Sequence, residues 1–119
     1  MSSIILYGIP NCDSCRKAVS WLKAGDHSYR FHDLRADGAP DPNQIRVWCE
    51  QLGWENILNR RSATYRSLSI EERDITQTED AIKLIVHHPL LLKRPLIESA
   101  FGIVAGFDPD RLTGILPHA

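Results

Sequence analysis

The stretch Tyr7–Leu22, YGIPNCDSCRKAVSWL, joins two kinds of sequence pattern. Just before and into it, Ile4, Ile5, Leu6 and Tyr7 form a β-branched and aromatic run closed by Gly8 and Pro10, which predicts a short buried strand. From Asp13 to Lys23, Ala18, Val19 and Leu22 recur at helical spacing, with Asn11 placed to cap the start and Gly25 to stop the end. Tyr29-Arg30-Phe31-His32-Asp33 then alternates apolar and polar residues, as a second strand does. These elements make a β-α-β unit, whose right-handed crossover sets the two strands parallel. Cys12 and Cys15 stand at the strand-to-helix junction.

Further along, Asp37–Pro40 is a turn cluster and Pro42 suits the first turn of another helix. In that helix Ile45, Trp48, Cys49 and Leu52 form a core stripe, and Gly53 ends it. The stretch Asn59–Ser69 is irregular and rich in arginine. Two more helices are predicted: Ile70–Asp74, with Ser69 as cap and Glu72 completing a capping box, and Glu79–His87, with Ala81, Ile82 and Ile85 inward and Pro89 beyond its end. After Lys93-Arg94-Pro95 come strands Leu96–Glu98 and Ile103–Ala105, split by Gly102, and then a helix capped by Asp108 with Pro109 at its first position, running through Leu116. The order is β-α-β, an all-helical insert at about 41–88, then β-β-α: an α/β chain with a mixed sheet, read as one domain over 1–119.

The bulk composition narrows the function classes. A chain of 119 residues, 43% hydrophobic and 24% charged, has enough apolar material for a core of its own. A formal net charge of -1 gives no whole-molecule attraction to nucleic acid or anionic membrane, so neither is an expected partner. No apolar run reaches membrane-span length, and the start lacks the basic and apolar regions of a secretory leader. The expected location is the cytoplasm, where structural disulfides are rare.

Against that background three cysteines do not make a disulfide framework, and the CxxC of Cys12 and Cys15 admits three readings: a redox pair, half a zinc site, or coincidence. A zinc site needs four ligands; there is no second CxxC and no HxxxH, only Cys49 and the pair His87-His88, so no metal is expected. Cys12 falls where first-turn N–H groups lack intrahelical partners and the helix dipole is positive, which favours a thiolate. Arg16 and Lys17 add positive charge one turn later. Cys15 shares the inward face of Ala18, Val19 and Leu22, three residues from Cys12 and within reach of it. This suits an attacking Cys12 and a resolving Cys15, although a Cys15 that packs as a small hydrophobe gives the same pattern.

The segments LYGIPNCDSCRKAVSWL, HHPLLLKRPLI and VAGFDPDRL, in this order and spacing, resemble the ArsC/Spx group of thioredoxin-like proteins, and within it the small YffB-type branch. The resemblance runs from Ile4 to about Leu116 and implies a thioredoxin/glutaredoxin-like core with the helical insert. It implies that Cys12 is the reactive cysteine and that Pro95 is cis beside it. In the family's arsenate reductases an arginine trio holds the oxyanion. Arg94 matches one member, and Arg61 or Arg60 offers a second. The third is expected at Ile103 or Val104, where this chain has no cation.

The function expected from this resemblance is a cytosolic, glutathione-dependent thiol-disulfide oxidoreductase with Cys12 as nucleophile. Cys15 or a second glutathione would resolve the mixed disulfide. Glutathione is the expected co-substrate, with no tightly bound cofactor. Arg61 and Arg94 would take its carboxylates, and Asn11 and Pro95 complete the substrate-binding set. The alternatives are an arsenate reductase and an Spx-like redox-sensing regulator that binds an RNA polymerase subunit.

Overall fold

The computed structural model describes residues 4–116. Its elements are β1 (Ile5–Gly8), α1 (Asp13–Ala24), β2 (Arg30–Asp33), α2 (Pro42–Leu52), α3 (Trp54–Ile57), α4 (Ala63–Arg66), α5 (Thr78–His87), a 3-10 turn (Pro89–Leu91), β3 (Leu96–Ser99), β4 (Gly102–Ala105) and α6 (Pro109–Ile115). Contacts group them into two compact units, one running up to Asp33 and again from Arg94, the other being Leu34–Lys93.

The first unit is built on a sheet of order β2-β1-β3-β4. β1 and β2 are parallel, while β1–β3 and β3–β4 are antiparallel. The register sets Leu6 opposite both Phe31 and Ile97, and Ile97 opposite Val104. Residues directly opposite share a face of the sheet, so these four side chains form one apolar row. Ala18 and Leu22 of α1 and Leu112 of α6 pack into the same buried cluster. Leu6, Leu22 and Leu112 are wholly buried, and each such side chain contributes about 1.5–3 kcal/mol. This packing fixes the start of α1 against the C-terminal end of β1.

The second unit buries Ile45, Trp48 and Cys49 of α2 and Ala81, Ile82, Leu84 and Ile85 of α5. Leu52, the fourth position of the predicted α2 stripe, is only half-buried. Arg46 of α2 and Glu79 of α5 form a fork-like pair at 2.8 and 3.1 Å.

Three local expectations need correction. α1 starts one residue later than an Asn11 cap requires: Cys12 holds the extended cap conformation (φ -118°, ψ 126°) and Asp13 is the first helical residue. Ile70–Asp74 is a hydrogen-bonded turn and not a helix. Its capping box does form, with Ser69 N–H to Glu72 Oε1 and Glu72 N–H to Ser69 Oγ both at 3.1 Å. But Ile70 is 79% exposed, so no apolar face carries the turn onward. The arginine-rich stretch contains the one-turn helix α4, capped by Ser62 through Tyr65 N–H. The Asp108 cap and the Pro109 start of α6 form as read from the sequence.

Candidate active site

The turn from β1 into α1 carries Cys12 at the helix cap, partly exposed, and Cys15 on the inward face, fully buried. Both thiols are free. The Cys12 thiol closes no capping hydrogen bond of ordinary geometry. Partial burial opposes its ionisation, but the N–H of Cys15, the Cys15 thiol, the N–H of Ser14 and the charge of Arg94 together outweigh it and bring the pKa below the ordinary cysteine value. These are the unpaired donors of a helix start acting on an anion.

Cys15 shifts the other way, up to about 12. Burial is the main cause. The Ile9 N–H and Arg94 pull it down, and the hydrogen bond and charge of Cys12 push it up. The arrangement is therefore asymmetric: Cys15 keeps its S–H, and the hydrogen bond it gives Cys12 favours the thiolate form there.

Arg94 is half-buried and joined to Pro95 by a cis peptide bond; the Pro95 carbonyl accepts from Gly106 N–H at 2.7 Å. Arg94 is the cation felt at Cys12. Arg16, expected from sequence to supply charge there, instead pairs with the Asp13 carboxylate. Asn11 is exposed on the turn before Cys12. Thus Asn11, Cys12, Cys15, Arg94 and Pro95 all belong to the sheet unit. Arg61 belongs to the helical unit, exposed between α3 and α4, its N–H bonded to Asn59 Oδ1 at 3.1 Å. Its neighbour Arg60 lies over the Trp54 ring, 5.7 Å from the centroid.

The resemblance placed a lost arginine at Ile103 or Val104, and the structure corrects what that means for Val104. Val104 is 4% exposed in the core cluster with Leu6 and Leu112. A guanidinium there would sit among aliphatic side chains, so this position does not decide whether an oxyanion can bind.

A groove of about 460 Å³ runs beside α1. Its apolar walls include Ile9, Pro10, Val19, Tyr29 and Phe31, and Cys15 forms part of the lining. The Ser14 N–H is one of the first-turn donors expected from sequence, whereas the Ile9 N–H, in the turn between β1 and α1, carried no sequence signal. Among the described residues no group of three or more His, Cys, Asp or Glu side chains converges as a metal site would require.

The acid-base asymmetry has a measurable effect on stability. Burial raises Cys15 from 9.0 to about 12, Cys49 from 9.0 to about 11 and Tyr7 from 10.0 to about 12. Above pH 9 the unfolded chain loses these protons while the folded chain keeps them, so stability falls as pH rises through that range. Cys12, shifted downward, adds stability only up to about the unfolded cysteine value and nothing further above it. We expect the melting temperature to hold near neutrality and drop steadily from about pH 9. Cys49→Ala should flatten part of that drop and cost about 1 kcal/mol at neutral pH. A melting temperature level from pH 8 to pH 11 would contradict this.

With this geometry established, comparison with known proteins identifies the chain. The sheet with its two flanking helices and the cysteine at the head of α1 define a thioredoxin-like thiol protein. The chain belongs to the ArsC family, matched over residues 7–115. It is 34% identical over 105 residues to an uncharacterized protein of Haemophilus influenzae, covering 88% of this chain and 91% of that one. It is also 32% identical over 117 residues to the global transcriptional regulator Spx of Lactiplantibacillus plantarum, covering 97% and 87%. Among solved structures, the YFFB protein superposes with TM-score 0.89 at 36% identity, covering 96% of this chain and 99% of that one. An arsenate reductase (ArsC) related protein of Brucella melitensis gives TM-score 0.69 at 33% identity, covering 92% and 91%. No helix among the described residues is long and apolar enough to cross a membrane.

Proposed function

We propose that this chain is a cytoplasmic thiol-disulfide oxidoreductase that works with glutathione, with Cys12 as its nucleophile. The observation that carries the reading is Cys12 at the α1 cap, where N–H donors, the Cys15 thiol and the charge of Arg94 favour its thiolate form. The Cys12 thiolate attacks one sulfur of a disulfide; that S–S bond breaks, its second sulfur leaves as a thiolate, and a mixed disulfide forms on Cys12. A glutathione thiolate then attacks the substrate sulfur of the mixed disulfide; the bond to Cys12 breaks, Cys12 leaves as a thiolate, and glutathione forms a disulfide with the substrate sulfur. The alternative, attack by Cys15 on the Cys12 sulfur, expels the substrate thiolate and closes a Cys12–Cys15 disulfide, and it is the slower route. In the mixed disulfide the Cys12 charge that raises Cys15 is gone, but burial, the largest cause, remains. Arg94 offers its guanidinium to a glutathione carboxylate, and the apolar groove beside α1 accommodates the body of a disulfide substrate.

The test is turnover with glutathione and a small disulfide, together with glutathione titration of Arg94→Ala. Wild type should turn over. Arg94→Ala should stay folded, bind glutathione about tenfold more weakly, which is about 1.4 kcal/mol, and show a higher Cys12 pKa. Unchanged glutathione binding by Arg94→Ala removes that residue from the site.

A second reading is favoured by one specific finding, the 32% identity to Spx across nearly the whole chain. In it the same cysteine pair senses oxidants and the protein binds an RNA polymerase subunit without catalysis. Absence of turnover together with retention of the protein by RNA polymerase in a pull-down selects this reading over the first.

A further inference from the structure

Gly8 is the last residue of β1 and is buried, opposite Asp33 of β2. It is not among the glycines with positive φ, so its backbone is one that any residue adopts. What is special is the space above it. A Cβ built on Gly8 would lie 2.5 Å from Cys15 Sγ, far inside contact distance. The next neighbours are less severe: Leu6 Cδ2 at 3.3 Å would have to give by a few tenths of an ångström, and Cys15 Cβ at 3.5 Å is an ordinary contact. The sulfur also has hydrogen-bond partners in the Ile9 N–H and in Cys12.

We propose that Gly8 is a positioning residue of the site: its bare Cα lets the Cys15 sulfur sit where its S–H can reach Cys12. The requirement is for volume, and the sulfur is by far the tightest contact. A methyl group at position 8 displaces Sγ, and the hydrogen bond to Cys12 is lost or misdirected. Gly8 thus acts on Cys12 through Cys15, touching neither Cys12 nor a substrate. The inference rests on Cys12 as the reactive thiolate but not on turnover. It is therefore read by alkylation, and an absence of reductase activity would undo the functional reading while leaving this one standing.

The experiment is a cycle of Gly8→Ala, Cys15→Ala and the double variant, each followed by the pH profile of Cys12 alkylation and by thermal melts, with Cys49 replaced by alanine throughout. Losing one hydrogen bond to a charged group corresponds to about a tenfold change in ionisation. Gly8→Ala and Cys15→Ala should each move the alkylation midpoint up by about one pH unit. The double variant should match Cys15→Ala in midpoint and melt no lower than Gly8→Ala, because the clashing atom is gone. A Gly8→Ala midpoint equal to wild type overturns the proposal, as does a double variant in which the two shifts add. If Gly8→Ala does not fold, a folded double variant supports the proposal and an unfolded one overturns it.

Discussion

Cys12→Ser should lower reductase turnover about a thousandfold or more while leaving the fold at least as stable as wild type. The two halves of this expectation have separate causes. The reaction needs a thiolate, and a serine hydroxyl does not ionise near neutral pH even beside the same N–H donors and Arg94. The fold, in contrast, trades one stabilising contact for another: serine gives up the anion held by the N–H donors and Arg94, and in return closes a cap hydrogen bond. Cys12 is the cap of α1 in an extended conformation and closes no cap hydrogen bond of its own. Serine at such a position accepts a first-turn N–H and is worth about 0.5–2 kcal/mol over a non-capping residue. Loss of turnover with an equal or higher melting temperature therefore separates chemistry from structure. Retained turnover would remove Cys12 as the nucleophile.

Val104→Arg should unfold the protein or lower its melting temperature by more than about 10 °C, without conferring arsenate reduction. Val104 faces Leu6, Ile97 and Leu112 within the core. Placing an ion there costs several kcal/mol, and in a domain of this size each kcal/mol is worth a few degrees. A thermal melt beside an arsenate turnover assay decides the matter. A stable Val104→Arg protein that reduces arsenate would show that position 104 faces the site, and the core assignment would fall with it.

The first of these expectations comes largely from sequence, the second only from coordinates, and the reason is physical. The β-α-β start, the α2 stripe, α5 and the Asp108 cap of α6 were legible because each is specified by local periodicity and nearby capping residues. The turn at Ile70–Asp74 carries a complete capping box and still fails to propagate, since Ile70 has no apolar surface to cover. Here tertiary context, invisible in the window, overrides a correct local signal.

The site was legible to a similar depth. The position of Cys12 at a helix start and the inward phase of Cys15 follow from spacing. The source of charge does not: Arg16 is near in sequence but paired with Asp13, while Arg94 is distant in sequence and acts on both sulfurs. That Val104 lies in the core was not legible, because alternation along β4 had to be anchored by register to know which face it occupied. Gly8 carried no functional signal in sequence, where a glycine after a strand reads as a turn residue. Its meaning appears only once Cys15 Sγ is placed above it.

The pH dependence of Cys12 alkylation in the wild-type protein measures the ionisation of this thiol directly. Cys12→Ser identifies the signal, and the buried Cys15 and Cys49, raised to about 12 and about 11, stay silent across the neutral range. A single reactive thiol is expected, with a midpoint clearly below the free-cysteine value of about 8.5. A midpoint at or above that value, or alkylation that survives Cys12→Ser, would contradict it.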